Sequence, residues 1–230
     1  TKNNLKKIYN SLREEQKKYN LLLGGGDTTF SNKLSFTITS IGYSKKIIYR
    51  NQSNVNNDIY VTGNLGDSFI GLQILKNKIK LNKSKTKYFI NKYYMPDIQN
   101  KFSKNLLSLA TSSMDISDGL IADLNKLINK QNVSYKIYEK FIPVSRNLTN
   151  LINSKNLKKI DLVSNGDDYQ ILFTAKPNNA RIINKLSKSL GVKISKIGTI
   201  LSGKNKSLIL DQKGREIANN VSGYVHQFWS

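Results

Sequence analysis

Cysteine is absent from the 230 residues, so neither a disulfide framework nor a thiolate metal site can be built from this chain. His226 is its single histidine, which excludes a zinc centre made of several imidazoles and leaves oxygen ligands for any metal. No stretch approaches the roughly eighteen consecutive apolar residues of a membrane span. The opening "TKNNLKKIYN" lacks the apolar core of a secretory signal. The expectation is a soluble, cytoplasmic protein with no membrane partner. A G-x-x-x-x-G-K-[ST] phosphate loop is missing, since "SGKNKS" has the wrong spacing, and neither H-R-D nor D-F-G occurs. Negative charge is scarce as well, with 15 acidic residues against 37 basic ones and a net charge of +22. That balance suits a nucleic-acid partner, because lysine and arginine supply most nonspecific affinity for phosphate backbones. Here, however, the lysines are spread among asparagines and isoleucines along the whole chain. The seven from Lys76 to Lys92 read as a solvated helix pair with a Lys-rich connection, so no nucleic acid is expected.

What is present suffices for a core: 38% of residues are hydrophobic. "LKKIYNSLREEQKKYN" predicts a surface helix over about 2–18. "NLLLGG" reads as a strand ending in a glycine turn, and "KLSFTITSIGY" alternates Leu34, Phe36 and Ile38 against Ser35, Thr37 and Thr39, the period of a half-buried strand. "NNDIYVTG" predicts a strand, "GDSFIGLQILKN" a helix, and further helices are expected near 86–94 and 97–111. Strands "SYKIYE", "YQILFTA", "KISKIGTI" and "SLILD" follow, with helix "NNARIINKLSKSL" between the second and third. The fold class expected is α+β, a mixed α/β arrangement around a mixed sheet. The chain opens directly on a helix, with no preceding strand and no initiating methionine, which predicts an N-terminally incomplete chain.

Against this background "SSMDISDGLIADLNKL" concentrates Asp115, Asp118 and Asp123 around one turn. Ser117 reads as an N-cap and Leu120, Leu124, Leu127 and Ile128 as the buried stripe of the helix that follows. The helix dipole accounts for Asp118 at about 0.3–1 kcal/mol, but not for Asp115 or for Gly119, whose position invites close approach to the backbone. "NGDDYQILFT" sets Asp167 beside Asp168, "LLLGGGDTTF" delivers Asp27, and "YVTGNLGDSF" delivers Asp67, which could also be a plain N-cap. Mg²⁺ takes one or two carboxylates plus phosphates and waters, and glycine turns with free N–H groups suit phosphate oxygens. The combination points to a phosphate-bearing ligand.

Taken in order, "LLGGGDTTFSNKLSFTITSIGY", "IYVTGNLGDSFIGLQIL", "MDISDGLIADL", "NGDDYQILFT" and "SGYVHQF" resemble the thiamine-monophosphate kinases, of the superfamily that includes aminoimidazole ribonucleotide synthetase and selenophosphate synthetase. The resemblance covers the chain from about residue 20. It implies the C-terminal domain of that two-domain fold over 45–230 and, over 1–44, the end of the N-terminal ATP- and metal-binding domain. It further implies ATP-dependent phosphorylation of thiamine monophosphate with several Mg²⁺ ions, and a homodimer for the full-length protein. By the same resemblance Asp27, Asp115 and Asp118 hold metal, Gly25, Gly26, Arg50 and Ser117 contact ATP, and Asp167 and Tyr224 contact the thiamine substrate. No strong general base is required, because the acceptor is already a phosphate oxygen. The family's N-terminal Gly-Asp-Asp motif is absent, so the 230 residues alone are expected to turn over little. The chain has Phe30, Met95 and Gln99 where the family usually has arginine, and Asn165 and Gln170 in place of Gly and Glu. A lost guanidinium removes bidentate phosphate contacts. Another ATP-using enzyme of the same superfamily is the alternative within this class, and a nonenzymatic basic nucleic-acid-binding module the alternative outside it.

Overall fold

The structure is a computed structural model that describes residues 2–44 and 46–217. It divides into two compact units, residues 1–45 and 46–230.

The first unit contains α1 (Lys2–Tyr19), a polar helix with no buried residue, followed by an extended chain. The predicted strands "NLLLGG" and "KLSFTITSIGY" are not strands here: residues 21–43 make no ladder, and Leu22, Phe30 and Tyr43 are 93%, 96% and 99% exposed. Alternation creates an apolar face, but a strand also needs a neighbour to receive its backbone hydrogen bonds. The described residues of this unit supply none.

The second unit is built on β1 (Asp58–Thr62), β2 (Ala110–Asp115), β3 (Val133–Tyr138), β4 (Ile171–Ala175), β5 (Ile194–Ser202) and β6 (Leu208–Leu210). They form one sheet in the order β2-β4-β1-β5-β3-β6, antiparallel except for the parallel β3–β6 pair. Both faces are covered, which is why central β1 is buried along its whole length. On one face Ile59, Val61 and Leu172 meet Leu120, Ile121, Leu124 and Leu127 of α5 (Leu120–Leu127) and Ile160 and Val163 of α7 (Lys159–Val163). On the other, Tyr60, Phe173 and Ala175 meet Phe102, Leu106 and Leu109 of α4 (Asn100–Leu109) and Ile183 of α8 (Ala180–Leu190). A third cluster joins α2 (Asp67–Leu75), α3 (Lys83–Tyr94) and α6 (Arg146–Lys155) through Ile70, Phe89, Leu148 and Leu151.

The helix expected over 97–111 stops at Leu109, and β2 begins at once. Its hydroxyls explain the switch: Ser112 and Thr174 are fully buried and bonded Oγ to Oγ1 at 2.7 Å, and Thr111 reaches Thr174 at 2.7 Å and Asn57 Oδ1 at 2.6 Å. Buried hydroxyls need such partners, and a strand paired with β4 provides them. α6 and α7 add to the expected elements. Ser145 caps α6 by accepting the Leu148 N–H at 3.0 Å, and Asn156 ends it in a left-handed conformation.

Phe173 is fully buried against Tyr60 and Phe102, with ring centroids 5.2 and 5.4 Å away. Phe173→Ala is expected to cost about 3–5 kcal/mol in a urea denaturation series, whereas Phe30→Ala, at a side chain 96% exposed, leaves the midpoint unchanged.

Candidate active site

The site forms where two loops cross main chain against main chain. β2 ends at Asp115, and the chain then runs beside the segment entering β4: the Ile116 N–H donates to the Gln170 carbonyl at 2.9 Å, the Tyr169 N–H to the Ile116 carbonyl at 2.8 Å, and the Asp167 N–H to the Ser117 carbonyl at 2.9 Å. A Cβ on Gly166 would overlap the Ser117 carbonyl, and one on Gly119 would overlap that of Ser164. The close approach expected at Gly119 is therefore made by the protein's own backbone. Asp167 (φ 68°) and Tyr169 (φ 50°) adopt left-handed conformations that non-glycine residues rarely hold.

The turn is held from within α5. Asp123 is fully buried, and its Oδ2 accepts the N–H groups of Ser117, Asp118 and Gly119 at 2.9, 2.8 and 3.1 Å. Its Oδ1 takes Lys126 Nζ at 2.9 Å, and the same ammonium pairs with Asp118 Oδ2. Two expectations are corrected. Ser117 is not the N-cap, since α5 starts after Gly119 and makes no side-chain cap bond. Nor are the N–H groups of this turn free for phosphate, because Asp123 has them. The Gly66 N–H is likewise used, donating to Asp168 Oδ2 at 2.7 Å, and Asp67 follows the cap instead of being it.

Asp167 and Asp168 part company. Asp168 turns inward, 4% exposed, and burial, with the charge of Asp67 adding, pushes its carboxyl up to about 8. Asp67, also 4% exposed, accepts Ser145 Oγ at 2.7 Å and Tyr88 O–H at 2.8 Å. Asp167 stays at the loop surface, where partial burial first and the charge of Asp118 after it raise its carboxyl. Burial, then the charges of Asp167 and Asp115, raise the Tyr169 phenol. Asp115, Asp118, Asp167 and Tyr169 thus share one electrostatic neighbourhood. Among the described residues no three carboxylate or imidazole side chains converge tightly enough to enclose an ion. The donor set is nonetheless hard oxygen, and facing carboxylates that disfavour each other's charge suit a divalent ion completed by ligand phosphates.

Residues 54–211 match the family of AIR synthase related proteins, C-terminal domain. The chain is 34% identical over 221 residues to the thiamine-monophosphate kinase of Buchnera aphidicola from Acyrthosiphon pisum, covering 91% of this chain and 68% of that one. It belongs to the thiamine-monophosphate kinase family. Among solved structures, thiamine monophosphate kinase from Aquifex aeolicus matches with TM-score 0.63 and 24% identity over 77% of this chain and 57% of that one. AaThiL complexed with AMPPCP and TMP matches with TM-score 0.62 and 23% identity over 77% and 54%. These likenesses establish a shared fold. The chain spans about two thirds of that curated relative and little more than half of the solved chains.

Of the residues the kinase resemblance singles out, the loop crossing gathers Asp115, Ser117, Asp118 and Asp167. Arg50 lies between Tyr49, whose carbonyl accepts the Ser113 N–H, and Asn51, whose N–H reaches the Leu127 carbonyl. Its neighbours thus touch β2 two residues before Asp115 and the C-terminal end of α5. Gly25, Gly26 and Asp27 belong to the first unit, where Asp27 Oδ1 accepts the Thr28 N–H at 2.7 Å. Tyr224 lies outside the described residues. Two family departures meet each other: Gln99 Nε2 donates to Gln170 Oε1 at 3.1 Å, while Thr62 Oγ1 donates to the same oxygen at 3.0 Å. The sequence draws attention to Asp123 without its role as the anchor of the turn and to Gln99 and Gln170 without their pairing, and Lys126 carries no signal in it.

Because the Asp168 carboxyl lies near 8 in the fold and near 3.8 in the unfolded chain, the folded state holds a proton that the unfolded state has released across that interval. Its contribution is whole below about 4 and is lost as pH rises through about 8. A series of melting curves from pH 5 to 9 is expected to fall for the wild type by up to about 1.4 kcal/mol per pH unit. Asp168→Asn, uncharged throughout, should show a shallower slope.

Proposed function

We propose that this chain is part of an ATP-dependent kinase that phosphorylates thiamine monophosphate to thiamine diphosphate. The reading is supported by the family to which it belongs and by the crossing of two loops that collects Asp115, Ser117, Asp118 and Asp167. The γ-phosphoryl group of ATP passes to a phosphate oxygen of the acceptor, releasing ADP. That chemistry asks mainly for alignment and charge neutralisation, which suits a site with carboxylates.

On this reading Asp115 and Asp118 would hold Mg²⁺, which when bound would supply charge neutralisation to the phosphates, and Asp27 is read as a metal ligand carried by the first unit. Ser117 keeps only its hydroxyl for the nucleotide, since its N–H is held by Asp123 and its carbonyl by Asp167. Gly25, Gly26 and Arg50 complete the ATP contacts, and Asp167 and Tyr224 those to the thiamine substrate. Residues 1–44 act as the end of an N-terminal domain and 45–230 as the C-terminal domain. A homodimer working in the cytoplasm is part of the same proposal; no helix among the described residues is long and apolar enough to cross a membrane.

Thiamine monophosphate added with Mg²⁺ and a non-hydrolysable ATP analogue is expected to raise the melting temperature, a ligand at a hundred times its dissociation constant being worth about 2.7 kcal/mol. Absence of any shift counts against this substrate and favours a sibling enzyme. In Asp115→Asn, calorimetric affinity for the Mg²⁺-bound analogue is expected to fall roughly tenfold or more, whereas a nucleic-acid module would bind RNA undisturbed by that change.

A further inference from the structure

Asp123 and Lys126 stand three residues apart on α5, and the ammonium of Lys126 bridges Asp123 Oδ1, at 2.9 Å, to Asp118 Oδ2. The Asp123 end of this bridge is fixed. Its carboxylate is fully buried, its second oxygen is occupied by three backbone N–H groups, and Lys126 completes its charge balance. The Asp118 end is open, with 29% of that side chain and 40% of the lysine exposed. Lys126 is thus anchored at Asp123 and also pairs with Asp118, the carboxylate read above as a metal ligand.

We propose that Lys126 is a resident counter-ion of Asp118, which a divalent cation must displace before it can use that carboxylate. The inference rests on the reading of Asp118 as a metal ligand. Displacement does not send the ammonium far, because Asp123 retains it. The incoming ion therefore loses affinity twice, once by competing for an occupied carboxylate and again by repulsion from a cation left nearby. Loading of the metal and swinging of Lys126 are then one event.

The test is a Mn²⁺ titration of the full chain followed by electron paramagnetic resonance, with Mn²⁺ as the probe and a non-hydrolysable ATP analogue held at one concentration throughout to supply the phosphate ligands. Lys126→Gln is expected to bind Mn²⁺ about fivefold more tightly than the wild type, the scale of one partly exposed ion pair. Lys126→Arg, which keeps the cation, should stay within about twofold of the wild type. The gain must vanish when Asp118→Asn is added. Unchanged or weaker binding by a folded Lys126→Gln, or an equal gain without Asp118, overturns the proposal. Equal Mn²⁺ affinity in wild type and Asp118→Asn overturns the metal assignment itself, a distinct failure. Should loss of the lysine unfold the chain by stranding Asp123, the unaltered protein decides: titration with Mg²⁺ is expected to shift the ε-methylene NMR signal of Lys126, and a signal that does not move while Asp118 responds refutes it.

Discussion

Two stretches of main chain, 116–119 and 164–170, lie so close that neither could carry a Cβ at the points of contact, Gly119 and Gly166. Three backbone hydrogen bonds cross between them, extending the β2–β4 pairing past the end of the sheet. Everything the site presents depends on this crossing. It forces Asp167 and Tyr169 into left-handed backbone, turns Asp168 inward, and fixes the turn that Asp123 caps from below. Positions set by backbone contact cannot drift with side-chain rotamers, which is the pre-organisation phosphoryl transfer requires. The backbone strain at Asp167 and Tyr169 is the cost of that placement.

The scarcity of negative charge takes on a structural meaning once burial separates the acids. Asp58, Asp67, Asp123 and Asp168 are all under 5% exposed, and each is tied to the frame: Asp58 to Lys196 at 2.6 Å, Asp67 to Ser145 and Tyr88, Asp123 to three N–H groups and Lys126, and Asp168 to Gly66. A buried carboxyl group is tolerable only with such partners or, as burial favours at Asp168, with its proton retained. Asp115, Asp118 and Asp167 are the ones left toward solvent in the same neighbourhood. The acids that build the site and the acids that can meet a ligand are therefore different residues, although the sequence sets them side by side as Asp118 with Asp123 and as Asp167 with Asp168.

That division explains how far the residues alone could be read. Apolar periodicity located β1, α2, α5, α8 and β5, because each buries a stripe or a face that local spacing encodes. It also placed Asp115 and Asp118 at a turn. It erred where partners lie far along the chain. The alternation over 34–38 promised a strand whose neighbour the first unit does not hold. The switch from α4 to β2 is decided by hydroxyl bonds from Thr111 and Ser112 to Thr174, more than sixty residues on. The glycine turns promised open N–H groups, but Asp123 and Asp168 had filled them, one from inside the next helix and one from a hundred residues away. Local sequence shows donors and acceptors without showing which are already spent.

The Gln99–Gln170 contact bears on the family departures in the same way. Taken singly, glutamine for arginine at 99 looks like the loss of a phosphate ligand, and glutamine for glutamate at 170 like an unrelated change. In the fold the two amides bond at 3.1 Å, and Gln170 is further held by Thr62 and by the Asp97 carbonyl at 3.0 Å. Against the pattern the resemblance implies, arginine at 99 and glutamate at 170, the two glutamines together remove one positive and one negative charge and leave the local balance unaltered. With Gln170 only 3% exposed, either substitution alone would bury an unmatched charge or desert one. Gln99 is thus held within the frame by Gln170. Met95 and Phe30, the other two positions where the resemblance leads one to expect arginine, are 68% and 96% exposed, so a cation there would need no buried partner.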